Sequence, residues 1–176
     1  MNEKNTIWES AGRAGAVLGG ISILYMLITA LTKKLAVDGP AFLIGMFNLL
    51  LWVAKLVGCI YLMRFFILRF ASQNPETDRS RALNFGVLTA FLSALLYAGA
   101  SFAYTSFIAP EMYTEAITIL QDNPMMDSNM LAILDEMAPK MPVYTFFGNL
   151  IYCFLFGTVL AAIFSNRVEP KKPFVE

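Results

Sequence analysis

Four long apolar runs separated by short polar breaks organise this chain. The first, Ala14 to Leu31, lies between Arg13 and the pair Lys33-Lys34; the second, Ala41 to Met63, is closed by Arg64 and Arg69. The third, Ala82 to Ala109, follows Arg79 and Arg81 and carries no charge; the fourth runs from Val143 to Phe164, with Arg167 beyond it. Each reaches or nearly reaches the ~20 apolar residues that cross a ~30 Å hydrocarbon core as a helix. Open strands cannot satisfy their backbone groups in lipid, so helix is the expected form. The fold predicted is all-α: a single polytopic membrane domain over 1–176, a four-transmembrane-helix bundle with spans at about 14–31, 41–63, 82–109 and 143–164.

The polar breaks have their own chemistry. Asp38-Gly39-Pro40 is a strong stop before the second span, and Ser72-Gln73-Asn74-Pro75 separates the second from the third, with Thr77 or Asp78 placed to cap the third. The connection between spans three and four, 110–142, is longer and acidic, with Glu111, Glu115, Asp122, Asp127, Asp135 and Glu136 against Lys140 alone. Tyr113, Ala116, Ile117 and Leu120 recur at helical spacing, as do Met130, Leu134, Met137 and Ala138. Asn123-Pro124 divides the two, and Asp127 or Ser128 is placed to cap the second. An extramembrane amphipathic helical segment, resting on the ends of the bundle, is expected.

Composition agrees with lipid as solvent. Of 176 residues 57% are hydrophobic and 15% charged, where soluble domains carry about 25% charged residues. The formal net charge is zero, which argues against a nucleic-acid partner, because phosphate binding needs clustered Lys and Arg. The absence of histidine removes the commonest general base and zinc ligand together. Cys59 and Cys153 both fall in apolar runs and read as small hydrophobes rather than a disulfide or metal site. No cofactor is implied, and no nucleophile–base pair or phosphate-cradling glycine loop is present, so the chain is expected not to be an enzyme.

The flanking charges give an orientation. The N-terminus, the 64–81 connection and the C-terminal tail hold Lys4, Arg13, Arg64, Arg69, Arg79, Arg81, Arg167, Lys171 and Lys172, against Lys33, Lys34 and Lys140 on the other side. Basic residues stay inside, so both termini are expected in the cytoplasm. The first run is longer than a signal-peptide core and is followed by lysines, so a retained span is expected.

Small residues at four-residue spacing mark helix contacts in lipid. They are Gly12, Ala16 and Gly20, beside Gly15 and Gly19, in the first span, and Gly86, Ala90, Ala94 and Ala98 in the third. Asn149, Cys153, Gly157 and Ala161 form the stripe of the fourth. Lys55 is the exception to the apolar pattern, near the middle of the second span, and none of the four spans contains Asp or Glu. A charge there costs roughly 2.5–3.5 kcal/mol on insertion scales. It shares a helix face with Gly45, Asn48, Trp52 and Cys59, so that face is expected to meet protein or water. The Lys55 stem can snorkel toward the cytoplasmic headgroups, or its head can bond hydroxyls, for which Thr89 and Ser93 are best placed by depth; anion binding or transport is the functional alternative. Asn48 and Asn149 lie at similar depth from one boundary, and Tyr25 and Tyr97 reach a similar level, predicting a polar layer of these four. Such a layer serves as interhelical glue or, with Lys55, as a site for an anion.

The stretch from Pro75 through Met112 carries Leu83-Asn84-Phe85-Gly86 at the start of the third span and Ala109-Pro110-Glu111 at its end. It resembles an uncharacterised family of small bacterial four-span membrane proteins, a domain of unknown function. That resemblance implies a bacterial inner-membrane location and supplies no functional residue. Two functions are compatible with the residues. One is a non-enzymatic membrane subunit or scaffold, with the lipid bilayer and a second copy or another membrane protein as partners. The other is a small transporter or permease component using Lys55 and the layer around Asn48 and Asn149.

The topology is testable. A cysteine placed at Asp127, in a background with Cys59 and Cys153 replaced, should react with an impermeant maleimide added to intact spheroplasts. Reaction only after lysis would reverse the orientation.

Overall fold

A computed structural model describes residues 3–35, 41–121 and 127–168. The four runs become α1 (Glu3–Leu35), α2 (Ala41–Gln73), α3 (Arg79–Ala103) and α6 (Met141–Ser165), and all four are long and apolar enough to cross a membrane. Two shorter helices, α4 (Glu111–Gln121) and α5 (Ser128–Met137), occupy the acidic connection. The chain is a multi-pass membrane protein.

Helices extend past the apolar runs because helix propensity does not stop at the first charge. Glutamate, lysine and arginine are good helix formers, so α1 starts eleven residues before Ala14 and α2 continues ten residues beyond Met63, through Arg64 and Arg69. Asn74 and Pro75 end α2, and Asp78 caps α3 by accepting the Arg81 backbone N–H at 2.8 Å. The cap is thus Asp78 rather than Thr77, and Asp127 holds the N-cap position of α5. The end of α3 widens to a π turn over Tyr104–Ile108, where Ala109 N–H reaches back to the Tyr104 carbonyl at 2.9 Å. Pro110 follows at once and closes the span. Asp38-Gly39-Pro40 and Asn123-Pro124 lie outside the described residues.

The bundle is built on α3, which packs most extensively against α6 and then α1. Both contacts rest on missing side chains. A Cβ added to Gly157 would meet Ala90 Cβ at 2.5 Å, and one on Gly86 would meet Ala161 Cβ at 2.6 Å. On the other side of α3, Gly15 and Gly19 lie against Leu92 and Leu96. Of the two stripes in α1, Gly15–Gly19 is therefore the seam, whereas Gly12 and Gly20 have open space beside them and Ala16 is exposed.

Helix α2 is seated differently. It touches α1 and α6 and only slightly α3, so it lies diagonally opposite α3. Its anchor is its last third, where Met63, Ile67 and Phe70 are buried with Ala11, Ala14 and Leu18 of α1, Phe85 of α3, and Leu160 and Phe164 of α6. Phe70 stacks on Phe85 with ring centroids 4.2 Å apart. From Phe42 to Leu62 no residue of α2 is fully buried. The bundle is closed at the end holding the start of α1 and the end of α6, and looser toward the α4–α5 end.

The connection is helical as the spacing predicts. Ile117 is buried, and the Tyr113 hydroxyl donates to Thr145 Oγ1 at 2.8 Å, tying α4 to the first turns of α6. Met130 and Ile133 of α5 remain exposed, so α4 is the better seated of the two.

The close seam has a measurable consequence. Gly157→Ala should lower stability by about 1–3 kcal/mol through overpacking against Ala90. Gly99→Ala, with no atom near its added methyl, should be neutral or stabilising by up to about 1 kcal/mol. Unfolding titrations in mixed micelles compare them.

Candidate intramembrane site

Helix α2 places Lys55 on its inward face, and α1 and α3 each bring a tyrosine to it. The Lys55 Nζ lies 4.9 Å from the ring centroid of Tyr25 and 4.8 Å from that of Tyr97. Each such contact contributes about 0.5–2 kcal/mol, depending on desolvation. Together they offset much of the roughly 2.5–3.5 kcal/mol that a mid-span charge costs. The side chain points into the bundle, as the shared face with Asn48 and Cys59 predicts.

Beside Lys55 lies a cavity of about 120 Å³, lined by residues from all four spanning helices. Its apolar wall includes Leu18, Leu56, Met63, Ala90, Phe156 and Leu160. Its polar wall is formed by Ser22, Trp52, Lys55, Cys59, Ser93, Tyr97, Tyr152 and Cys153. Every one of these polar side chains is able to donate a hydrogen bond, and none is a carboxylate or amide. Two of the fifteen lining residues are exposed: Trp52 of α2, 47% accessible, and Tyr152 of α6, 66% accessible. The mouth of the cavity therefore opens sideways between α2 and α6, onto the lipid-facing surface. Its floor, toward the end holding the start of α1, is the packed layer of Met63, Leu18 and Leu160 with Ile67 and Phe85 beneath.

The four-residue polar layer is not formed. Asn48 Oδ1 accepts from Thr32 Oγ1 at 3.1 Å, and Asn149 Nδ2 donates to Ser101 Oγ at 3.1 Å. Neither asparagine lines the cavity. The reason is helix register. Thr32 is seven residues after Tyr25 in α1, and Asn48 is seven before Lys55 in the antiparallel α2. The Thr32–Asn48 contact thus lies about 10 Å from the Tyr25–Lys55 contact. Asn149 and Ser101 are each four residues, about 6 Å, from the cavity residues Cys153 and Tyr97. Depths counted from the ends of the apolar runs miss this offset.

Other expected positions divide. Ser93 lines the cavity, but Thr89 is fully buried against the α1 seam, with no hydrogen-bond partner for its hydroxyl. Gly45 is exposed, so the Lys55 face turns outward at its far end. The two cysteines are free and both face the cavity, where the Ser22 hydroxyl interacts with the Cys59 thiol. The sequence reads both as small hydrophobes and places Cys59 on the Lys55 face, one turn away; nothing in the sequence places Cys153 beside it.

The match to a family model covers residues 13–166, from within α1 to the end of α6, and its description is a protein of unknown function. The chain belongs to the DUF4199 family. No curated protein and no solved structure matches it. As a DUF4199 member the chain inherits no assigned activity, so its site chemistry rests on the cavity itself. Among the described residues no cluster of three or more His, Cys, Asp or Glu is placed to hold a metal ion.

The two polar arrangements respond differently to mutation. Asn48→Ala and Asn149→Ala should each lower stability by about 0.6 kcal/mol, the worth of one interhelical hydrogen bond in a membrane. Tyr25→Leu with Tyr97→Leu should cost about 1–4 kcal/mol, and most of that loss should vanish in a Lys55→Met background. A double-mutant cycle on unfolding free energies reads the coupling.

Proposed function

We propose that this chain is a non-enzymatic subunit of the bacterial inner membrane that holds an anionic group at Lys55, with both termini in the cytoplasm. The observation that carries the reading is the cavity wall. A mid-span ammonium stands beside a space lined by hydrogen-bond donors, in a bundle whose spans contain no carboxylate. A cation retained at that depth without a countercharge marks a functional site by default. The absence of histidine and of any paired base beside a hydroxyl or thiol supports binding rather than catalysis. The nine-to-three distribution of flanking basic residues supports the orientation.

A small transporter or permease component is the second reading, favoured by the same cavity. It requires a polar layer around Asn48 and Asn149, and both are engaged in hydrogen bonds away from the cavity. The packed floor toward the end holding the start of α1 also favours a binding subunit over a through-passage. A second copy of the chain or another membrane protein remains the partner class, with the bilayer itself; nucleic acid is not.

Lys55→Met separates a binding role from a packing role. The variant should fold with equal or higher stability, because it removes an expensive charge from the membrane. It should fail to complement a deletion strain, whereas Lys55→Arg should retain part of the function. Full complementation by a stable Lys55→Met protein would contradict the proposal.

A further inference from the structure

The cavity's mouth and its wall together say what kind of anion fits. A mouth that opens between α2 and α6 at mid-span favours a ligand arriving through the bilayer over a water-borne anion. Trp52 and Tyr152, the two exposed lining residues, flank that mouth on the surface that meets lipid. A ligand passing between them comes from the bilayer and must carry an apolar portion. At the inner end it meets Lys55, with the hydroxyls of Ser22 and Ser93 on the same cavity wall. About 120 Å³ accommodates several waters, or a small headgroup with the first part of a chain. One chain leaving between the Trp52 and Tyr152 rings displaces less of that mouth than the branched glycerol backbone and two chains of a phospholipid would.

We propose that the Lys55 cavity binds a single-chain anionic amphiphile of the fatty-acid class, its carboxylate on Lys55 and its chain leaving between Trp52 and Tyr152. The inference rests on the anion-holding reading above and adds the ligand's class and its route. Carboxylate on ammonium is a charge-assisted hydrogen bond, stronger in a site of low dielectric than in water. The apolar chain is held by contact with Trp52, Leu56 and Phe156 and otherwise stays in lipid, so the site need not enclose it. The two tyrosine rings hold the Lys55 head in the bundle before the ligand arrives, which limits the ordering lost on binding.

Native mass spectrometry of the full chain, released from neutral detergent, tests the proposal with four probes: oleate, oleyl alcohol, acetate and inorganic phosphate. Oleate should give a saturable one-to-one adduct. Oleyl alcohol, with the same chain and no charge, should bind at least tenfold more weakly, as should acetate and phosphate. Lys55→Met should lose the oleate preference and Lys55→Arg should keep it, with circular dichroism confirming that both fold. The comparison among probes on the unaltered protein stands even if a variant does not fold. If acetate or phosphate bound as tightly as oleate in a Lys55-dependent way, the amphiphile inference would fail and the anion site would survive. If oleyl alcohol matched oleate, or no probe bound, both would be overturned.

Discussion

The close approach of α3 to both α1 and α6 governs the rest of this structure. Lipid offers no hydrophobic reward for burying leucine against leucine, so helices in a bilayer associate where backbones come near enough for dense van der Waals contact. Gly86 and Gly157 bring α3 and α6 to a distance at which one extra methyl on either would collide with alanine. Gly15 and Gly19 do the same for α1 and α3. Three helices are thereby locked together. The fourth, α2, packs against α1 and α6 and only slightly against α3.

Spacing at α2 is what produces the cavity. Near the closed end, Met63, Ile67 and Phe70 fill the gap completely. One to two turns toward the other end, the same gap holds Lys55 and two thiols, which do not fill it. A cation on a helix that must be held at a distance is thus consistent with the packing, and the two tyrosines complete its surroundings without a countercharge. Closure at the end holding the start of α1 blocks a passage through the bundle there, and the exposed Trp52 and Tyr152 mark an opening at the side, between α2 and α6.

Much of this was legible in the sequence, and the failures share one cause. The apolar runs located four spans because the bilayer imposes their length, and the small-residue stripes of α3 and α6 identified the seam that forms. Periodicity also put Lys55 on an inward face. Periodicity says nothing about how far one helix slides along another, however. Depth along the runs pairs Asn48 with Tyr25, whereas its partner is Thr32, two turns along. It pairs Asn149 with Asn48, whereas Asn149 bonds Ser101. Two glycine stripes in α1 were equivalent as patterns, and only the packed bundle distinguishes Gly15–Gly19 from Gly12–Gly20. Trp52 and Tyr152 as the lips of a mouth depend on two helices from opposite ends of the chain, which no local pattern joins.

The setting of Lys55 is the point on which the account turns, and nuclear Overhauser contacts of its terminal methylene would examine it directly. In the full chain, selectively labelled at lysine and tyrosine and reconstituted in nanodiscs, that methylene should show contacts to the ring protons of both Tyr25 and Tyr97 and none to lipid acyl chains. Contacts to acyl chains, with neither tyrosine ring in reach, would mean that Lys55 faces the bilayer, and the donor-lined cavity would lose its cation.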